Sequence, residues 1–144
     1  MASYVCVVQS NLSPEEAFAY MADLRNFEKW DPGVSRSVRN GDTDGLGASY
    51  DVTASGTELT YTIVEHEAPT RVVAEARTRL LRSYDVITVE PADDGCRVTY
   101  DASLELNGLL GLFDPFLRPV FNRIGDKAAD GLESALDGTL VSRG

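Results

Sequence analysis

Few residues in this chain have side chains suited to acting on another molecule. His66 is the sole histidine and the one group that titrates near neutrality without perturbation. Asp85 is in step with Ile87 and Val89 on a stretch of alternating polarity, so the three share a face. Thr88 and Glu90 cannot face a core, so Ile87 and Val89 must, and a carboxylate goes inward with them. Such a group needs a partner or an upward-shifted pKa. In a cavity it could activate a carbon acid or orient a hydroxyl, which makes Asp85 the candidate catalytic residue. Tyr50, Tyr61 and Tyr100 also fall on inward positions. Their hydroxyls could hold a carbonyl or phenol, or the rings could be ordinary core. Arg77, Arg79 and Arg82 surround a turn, either as an acid-binding group or as a solvated hairpin tip. With unbroken alternation His66 lies opposite Tyr61 and Ile63, which reads as a surface or edge histidine.

Other chemistries are excluded by what is missing. One histidine cannot build a two-histidine zinc site, and no metal or cofactor is expected. Cys6 and Cys96 are far apart and lack CxxC spacing, so they read as reduced core thiols of a cytoplasmic protein. The 23 acidic and 13 basic residues leave a net charge of −10, which repels nucleic acid and anionic lipid. No apolar run approaches the roughly 20 residues of a membrane span, so stable membrane insertion is not expected. Met1–Ser10 carries no secretory signal pattern. With 144 residues, 43% hydrophobic, the sequence reads as a single domain over residues 1–144, monomeric or homodimeric.

The elements that must position these residues follow from periodicity. Tyr4–Ser10 is short and β-branched, a strand. Ser13 then caps a helix that begins at Pro14, with Glu15 and Glu16 at the positive end of its dipole. Phe18, Met21 and Ala22 form its apolar face. A second short helix, Leu24–Trp30, carries Phe27 and Trp30 inward and ends at Asp31-Pro32-Gly33. Six strand candidates follow: Val34–Asn40, Ala48–Ser55, Glu58–Glu67, Arg71–Thr78, Arg82–Pro91 and Cys96–Leu106. Their connections are too short for a crossover helix, so neighbours pair antiparallel as a meander. Asp114-Pro115 reads as a cap and first-turn proline. Leu117, Val120, Phe121, Ile124, Ala128, Leu132 and Ala135 then recur at helical spacing. Drawn from Pro115 to Val141, this helix would span about 40 Å.

One helix cannot fill the inside of a strongly twisted sheet of seven strands. Tyr50, Tyr61, Ile63, Ile87 and Tyr100 point into that space, with the small residues Ala74, Ala76 and Ala102 between them. Leu117 and Phe121 face it from the helix, and Met21 and Trp30 from the short helices. An apolar, aromatic surface with a few polar tips is the profile of a small-molecule pocket. Pattern alone leaves a solid core equally open. Phe113, Phe116 and Gly108–Gly111 precede the long helix as a gate or as a hydrophobic plug. Gly125 and Gly131 within it permit either close approach or flexing.

Three stretches resemble the START-like superfamily, specifically its bacterial polyketide cyclase/dehydrase-like branch. They are Ser13 through Asp23 with Trp30-Asp31-Pro32, Tyr61–Glu65 ahead of Pro69 and Arg71, and Leu109–Leu136 with Asp114-Pro115, Arg118-Pro119 and Gly131-Leu132. The resemblance covers nearly the whole chain. It implies an α+β helix-grip fold, in which a curved seven-stranded antiparallel sheet wraps one long C-terminal helix. It also implies a cavity between the two for one hydrophobic molecule, such as a polyketide, lipid or sterol. The alternative it implies is a polyketide cyclase or dehydratase. Expected ligand-binding residues are Met21, Trp30, Tyr50, Tyr61, Ile63, Ala74, Ala76, Ile87, Tyr100, Ala102, Phe113, Phe116, Leu117 and Phe121.

Overall fold

A computed structural model describes residues 2–144, with Asp114 described by its backbone only. Strand β1 (Ala2–Ser10) alternates buried and open positions, with Tyr4, Cys6 and Val8 inward. Helix α1 (Pro14–Ala22) starts as its residues dictate: the Ser13 hydroxyl accepts the Glu16 N–H, and the Glu16 carboxylate accepts the Ser13 hydroxyl proton. A 3-10 turn at Leu24–Asn26 leads into α2 (Phe27–Trp30), with Asp23 rather than a helical residue separating it from α1. Phe27 and Trp30 stack at 4.8 Å, and Trp30 meets the Tyr100 ring edge-on at 5.2 Å.

Six strands then run back and forth: β2 (Val34–Asn40), β3 (Ser49–Ala54), β4 (Thr57–Glu67), β5 (Arg71–Arg77), β6 (Leu81–Ala92) and β7 (Gly95–Leu106). Each pairs antiparallel with the next. β7 also pairs with β1, so Tyr100 lies beside Cys6 and Ala102 beside Tyr4. The inward sets are those expected from alternation: Leu59, Tyr61 and Ile63 on β4, Val72, Ala74 and Ala76 on β5, Ile87 and Val89 on β6.

Two features depart from the sequence reading. Helix α3 covers Asp114–Ala135, about 33 Å, and does not continue to Val141. Asp114 is itself its first residue; its capping side chain lies outside the described residues. At the other end Asp137 takes a left-handed conformation with φ of 47°, which stops the helix. The chain then forms an eighth strand, β8 (Gly138–Arg143), on the free edge of β1. The sheet is therefore eight-stranded, in the order β2-β3-β4-β5-β6-β7-β1-β8. Helical spacing ended at Ala135, whereas Thr139, Leu140 and Val141 are residues that suit a strand. The unpaired edge of β1 supplied partners that no local signal could show.

The second departure is a bulge in β4. Ile63 pairs with Ala74, but Glu65 pairs with Val73, leaving Val64 as an extra residue. His66 then lies opposite Val72, on the inner face with Ile63 and not on the outer one.

Helix α3 crosses the inner face of the sheet, packing most closely on β1, β8 and α2. Its C-terminal half is solid core: Ala128, Ala129, Leu132 and Leu136 are buried. Its N-terminal half is only half-buried at Leu117, Phe121 and Ile124. The two glycines within α3 face close neighbours. A methyl group on Gly125 would overlap the Tyr4 ring, and one on Gly131 would overlap the Trp30 carbonyl. Close approach, not flexing, accounts for them.

Candidate functional site

Where the N-terminal half of α3 stands away from the sheet, a hollow of about 330 Å³ remains. Phe27, Leu59, Leu81, Ala102, Leu104, Leu117, Phe121 and Ile124 bring apolar side chains to its wall. Its polar groups are fewer. Tyr61 and Tyr100 reach it from β4 and β7, Ser83 and Asp85 from β6, Asp31 from the turn after α2, and Ser55 and Thr57 from the β3–β4 turn and the start of β4.

Asp85 is inward because β6 runs without a bulge from Leu81 to Ala92, pairing Asp85 with Ala102 and Ile87 with Tyr100. Only 4% of it is exposed. The Tyr100 hydroxyl donates to Asp85 Oδ2 at 3.2 Å. Burial pushes the Asp85 carboxyl up to about 7, against the opposing effect of the Tyr100 hydrogen bond and with help from the Asp31 charge. Burial, then the neighbouring Asp85 charge, pushes the Tyr100 phenol upward too. Tyr61 and Ser83 share a hydrogen bond of 2.7 Å, which either oxygen can donate. Burial also raises the Tyr61 phenol, as does the charge of Asp85.

Asp31 completes this group. It is 8% exposed, and its Oδ1 accepts the Gly33 N–H at 2.8 Å. Burial raises its carboxyl pKa, and the Gly33 hydrogen bond opposes that. Two buried carboxyls thus face one apolar space. Tyr4, also on the wall, donates its hydroxyl proton to Asp126 Oδ1 at 2.7 Å and ties β1 to α3.

The sequence candidates divide into four groups. Asp85, Tyr61, Tyr100, Ala102, Leu117 and Phe121 come together around the hollow. Met21, Trp30, Ile63, Ala74, Ala76 and Ile87 are buried in the packed part of the core and are not on its wall. Phe113 and Phe116 are 57% and 74% exposed and are not on its wall; with Leu109 and Leu112 they leave an apolar ridge on the outside. Tyr50 is buried, but it lines a separate, more open depression of about 600 Å³ with Phe18, His66 and Pro69. There the His66 ring meets Phe18 edge-on at 5.2 Å. The arginines at the β5–β6 hairpin are solvated: Arg77 and Arg82 both bind Glu75, at 3.0 and 2.8 Å.

Asp31 and Ser83 are the residues that sequence reasoning did not single out. Ser83 shares the parity of Asp85, so alternation could have found it. Asp31 could not be found that way, because it lies between a helix and a strand and belongs to neither period. Among the described residues no cluster of His, Cys, Asp and Glu is arranged to hold a metal ion. No described helix is long and apolar enough to cross a membrane.

A long helix gripped by an antiparallel sheet, over an apolar hollow with a polar floor, defines a helix-grip protein of the START-like kind. The chain belongs to the family described as polyketide cyclase / dehydrase and lipid transport, whose model matches residues 1–137. Solved structures agree on the fold. A START superfamily protein from Mycobacterium smegmatis superposes with a TM-score of 0.69 at 13% identity, over 94% of this chain and 96% of that one. KanY gives 0.70 at 19% identity, over 95% and 98%. The di-domain ARO/CYC StfQ from the steffimycin biosynthetic pathway gives 0.70 at 12% identity, over 94% of this chain and 50% of that one. No curated protein matches the chain by sequence.

Proposed function

We propose that this chain is one START-like ligand-binding domain, and that it holds a single small hydrophobic molecule in the hollow between the sheet and α3. The observation that carries the reading is the unequal packing of α3. Leu132 and Leu136 are wholly buried, yet Leu117, Phe121 and Ile124 are only half-buried over an apolar space. Its volume suits one small ligand. Exposed apolar wall is costly in water, at about 25 cal/mol per Å², and a lipophilic ligand removes that cost. Polyketides, lipids and sterol-like molecules are the candidate classes.

The test is direct. A neutral fluorescent hydrophobic probe should bind with one-to-one stoichiometry and be displaced by lipophilic competitors. Ala102→Phe, which fills the floor, should abolish that binding while circular dichroism reports an unchanged fold. Probe binding undiminished in Ala102→Phe would sink the reading.

A second reading, a cyclase or dehydratase, draws support from the same floor. A carboxyl poised near neutrality can take a proton from a carbon acid. The Tyr61–Ser83 pair has one hydroxyl proton left to steady a developing enolate oxygen. Asp85→Asn tests this second reading: turnover of a polyketide chain, measured at saturating concentration, would cease.

A further inference from the structure

The hollow has two carboxyls on its floor and no cationic side chain: among the described residues on its wall there is no lysine, arginine or histidine. We propose that the molecule it takes carries a basic nitrogen, an amine that is protonated in water, at the end that reaches Asp85 and Asp31. This inference rests on reading the hollow as a ligand site and names the chemistry of that ligand.

The uncompensated charge of the two carboxyls makes the case. Asp85 Oδ2 takes the one proton of Tyr100, and no described group donates to Oδ1. Asp31 Oδ1 takes the Gly33 N–H, and no described group donates to its Oδ2. Neither free oxygen is sealed inside protein: among the described residues the one fully enclosed side-chain atom lacking a partner is Gln9 Oε1. Both belong to residues that line the hollow. Tyr61 and Ser83 spend one of their two hydroxyl protons on each other. That pair keeps one spare hydroxyl proton, Ser55 and Thr57 bring further hydroxyls to the wall, and no group on the wall carries positive charge. Two carboxylates facing one low-dielectric space cannot both stay ionised cheaply unless a cation joins them. An ammonium group supplies charge and several N–H donors at once.

The wall favours the same class. Phe27, Tyr61, Tyr100 and Phe121 contribute aromatic rings to the hollow, and ring faces attract a desolvated cation. A fatty acid carboxylate or a phosphate would instead bring further negative charge to two acids. Folding gains nothing from the arrangement, since an apolar residue at position 85 would fit the core pattern of Ile87 and Val89.

Three probes of one chain length decide it: n-decylamine, n-decanol and decanoate, titrated calorimetrically into the protein at pH 8. Decylamine should bind one-to-one and at least about 10-fold tighter than decanol, with decanoate weakest. In Asp31→Asn/Asp85→Asn the preference for amine over alcohol should fall to within about 3-fold. Asp85→Asn alone should give an intermediate preference if the double variant does not fold. Decanol or decanoate binding as tightly as decylamine overturns the proposal and leaves the hydrophobic-ligand reading standing. So does an amine preference that survives removal of both carboxylates. Failure of all three probes to bind overturns the ligand-site reading, and the amine proposal with it.

Discussion

The Cα of Gly131 faces the carbonyl oxygen of Trp30 so closely that no side chain fits between α3 and α2. Alanine is the better helix former by about 1 kcal/mol, so helix propensity alone predicts that Gly131→Ala stabilises. The packing predicts the reverse, because the added methyl meets backbone and neither helix can step aside without opening the core. Gly131→Ala should cost about 3 kcal/mol or more, read from urea unfolding. A stabilised variant would mean that α3 and α2 do not meet as described.

Asp85 makes stability depend on pH. Its folded-state carboxyl titrates at about 7 and its unfolded-state one near 3.8. Between those values the folded chain holds a proton that the unfolded chain has released. Stability contributed by this group is therefore highest below about pH 4, falls as pH rises through about 7, and is level above. Asp31, raised by burial, pulls in the same direction. The charge of Asp101 on β7 adds to the upward shift of Asp85, while Tyr61 and Tyr100 stay protonated there. Asp85→Asn should flatten the profile and stabilise the protein at pH 8 by about 1–4 kcal/mol. Thermal melts of both proteins from pH 5 to pH 8 check it, and parallel profiles would count against a buried, unpaired carboxyl.

The two halves of α3 should respond differently to truncation. Leu132 is fully buried, and Leu132→Ala should cost about 2–5 kcal/mol. Phe121 is half-buried over the hollow, where less packing is lost, and Phe121→Ala should cost about 1–2 kcal/mol. The larger side chain should thus be the cheaper loss, and the Phe121 variant should also accept bulkier hydrophobic probes. Equal costs in urea titrations would place Phe121 in solid core.

Both cysteines are free and buried, and burial pushes the Cys6 thiol up to about 11. A thiol reagent should leave both unmodified in the native protein at pH 8 and label both rapidly in denaturant. Fast native labelling at either position would show that β1 or β7 opens readily.

Alternation in the sequence determined which face of β4, β5, β6 and β7 turns inward, because a strand's side-chain period is fixed by its backbone. It therefore placed Asp85, Tyr61 and Tyr100 inside. Capping at Ser13 and helical spacing through Ala135 located α1 and α3 for the same local reason. Only the tertiary structure decided the rest. The bulge at Val64 turns His66 inward, and a bulge is set by how two strands match in length and not by one strand's pattern. β8 forms because β1 has an edge to offer. Asp31 joins Asp85 because the end of α2 is carried over the β-sheet by contacts between residues distant in sequence. Whether the inside was solid or hollow also lay beyond the sequence: Leu117 and Leu132 occupy one helical stripe, and only the distance from α3 to the sheet at each end separates wall from core.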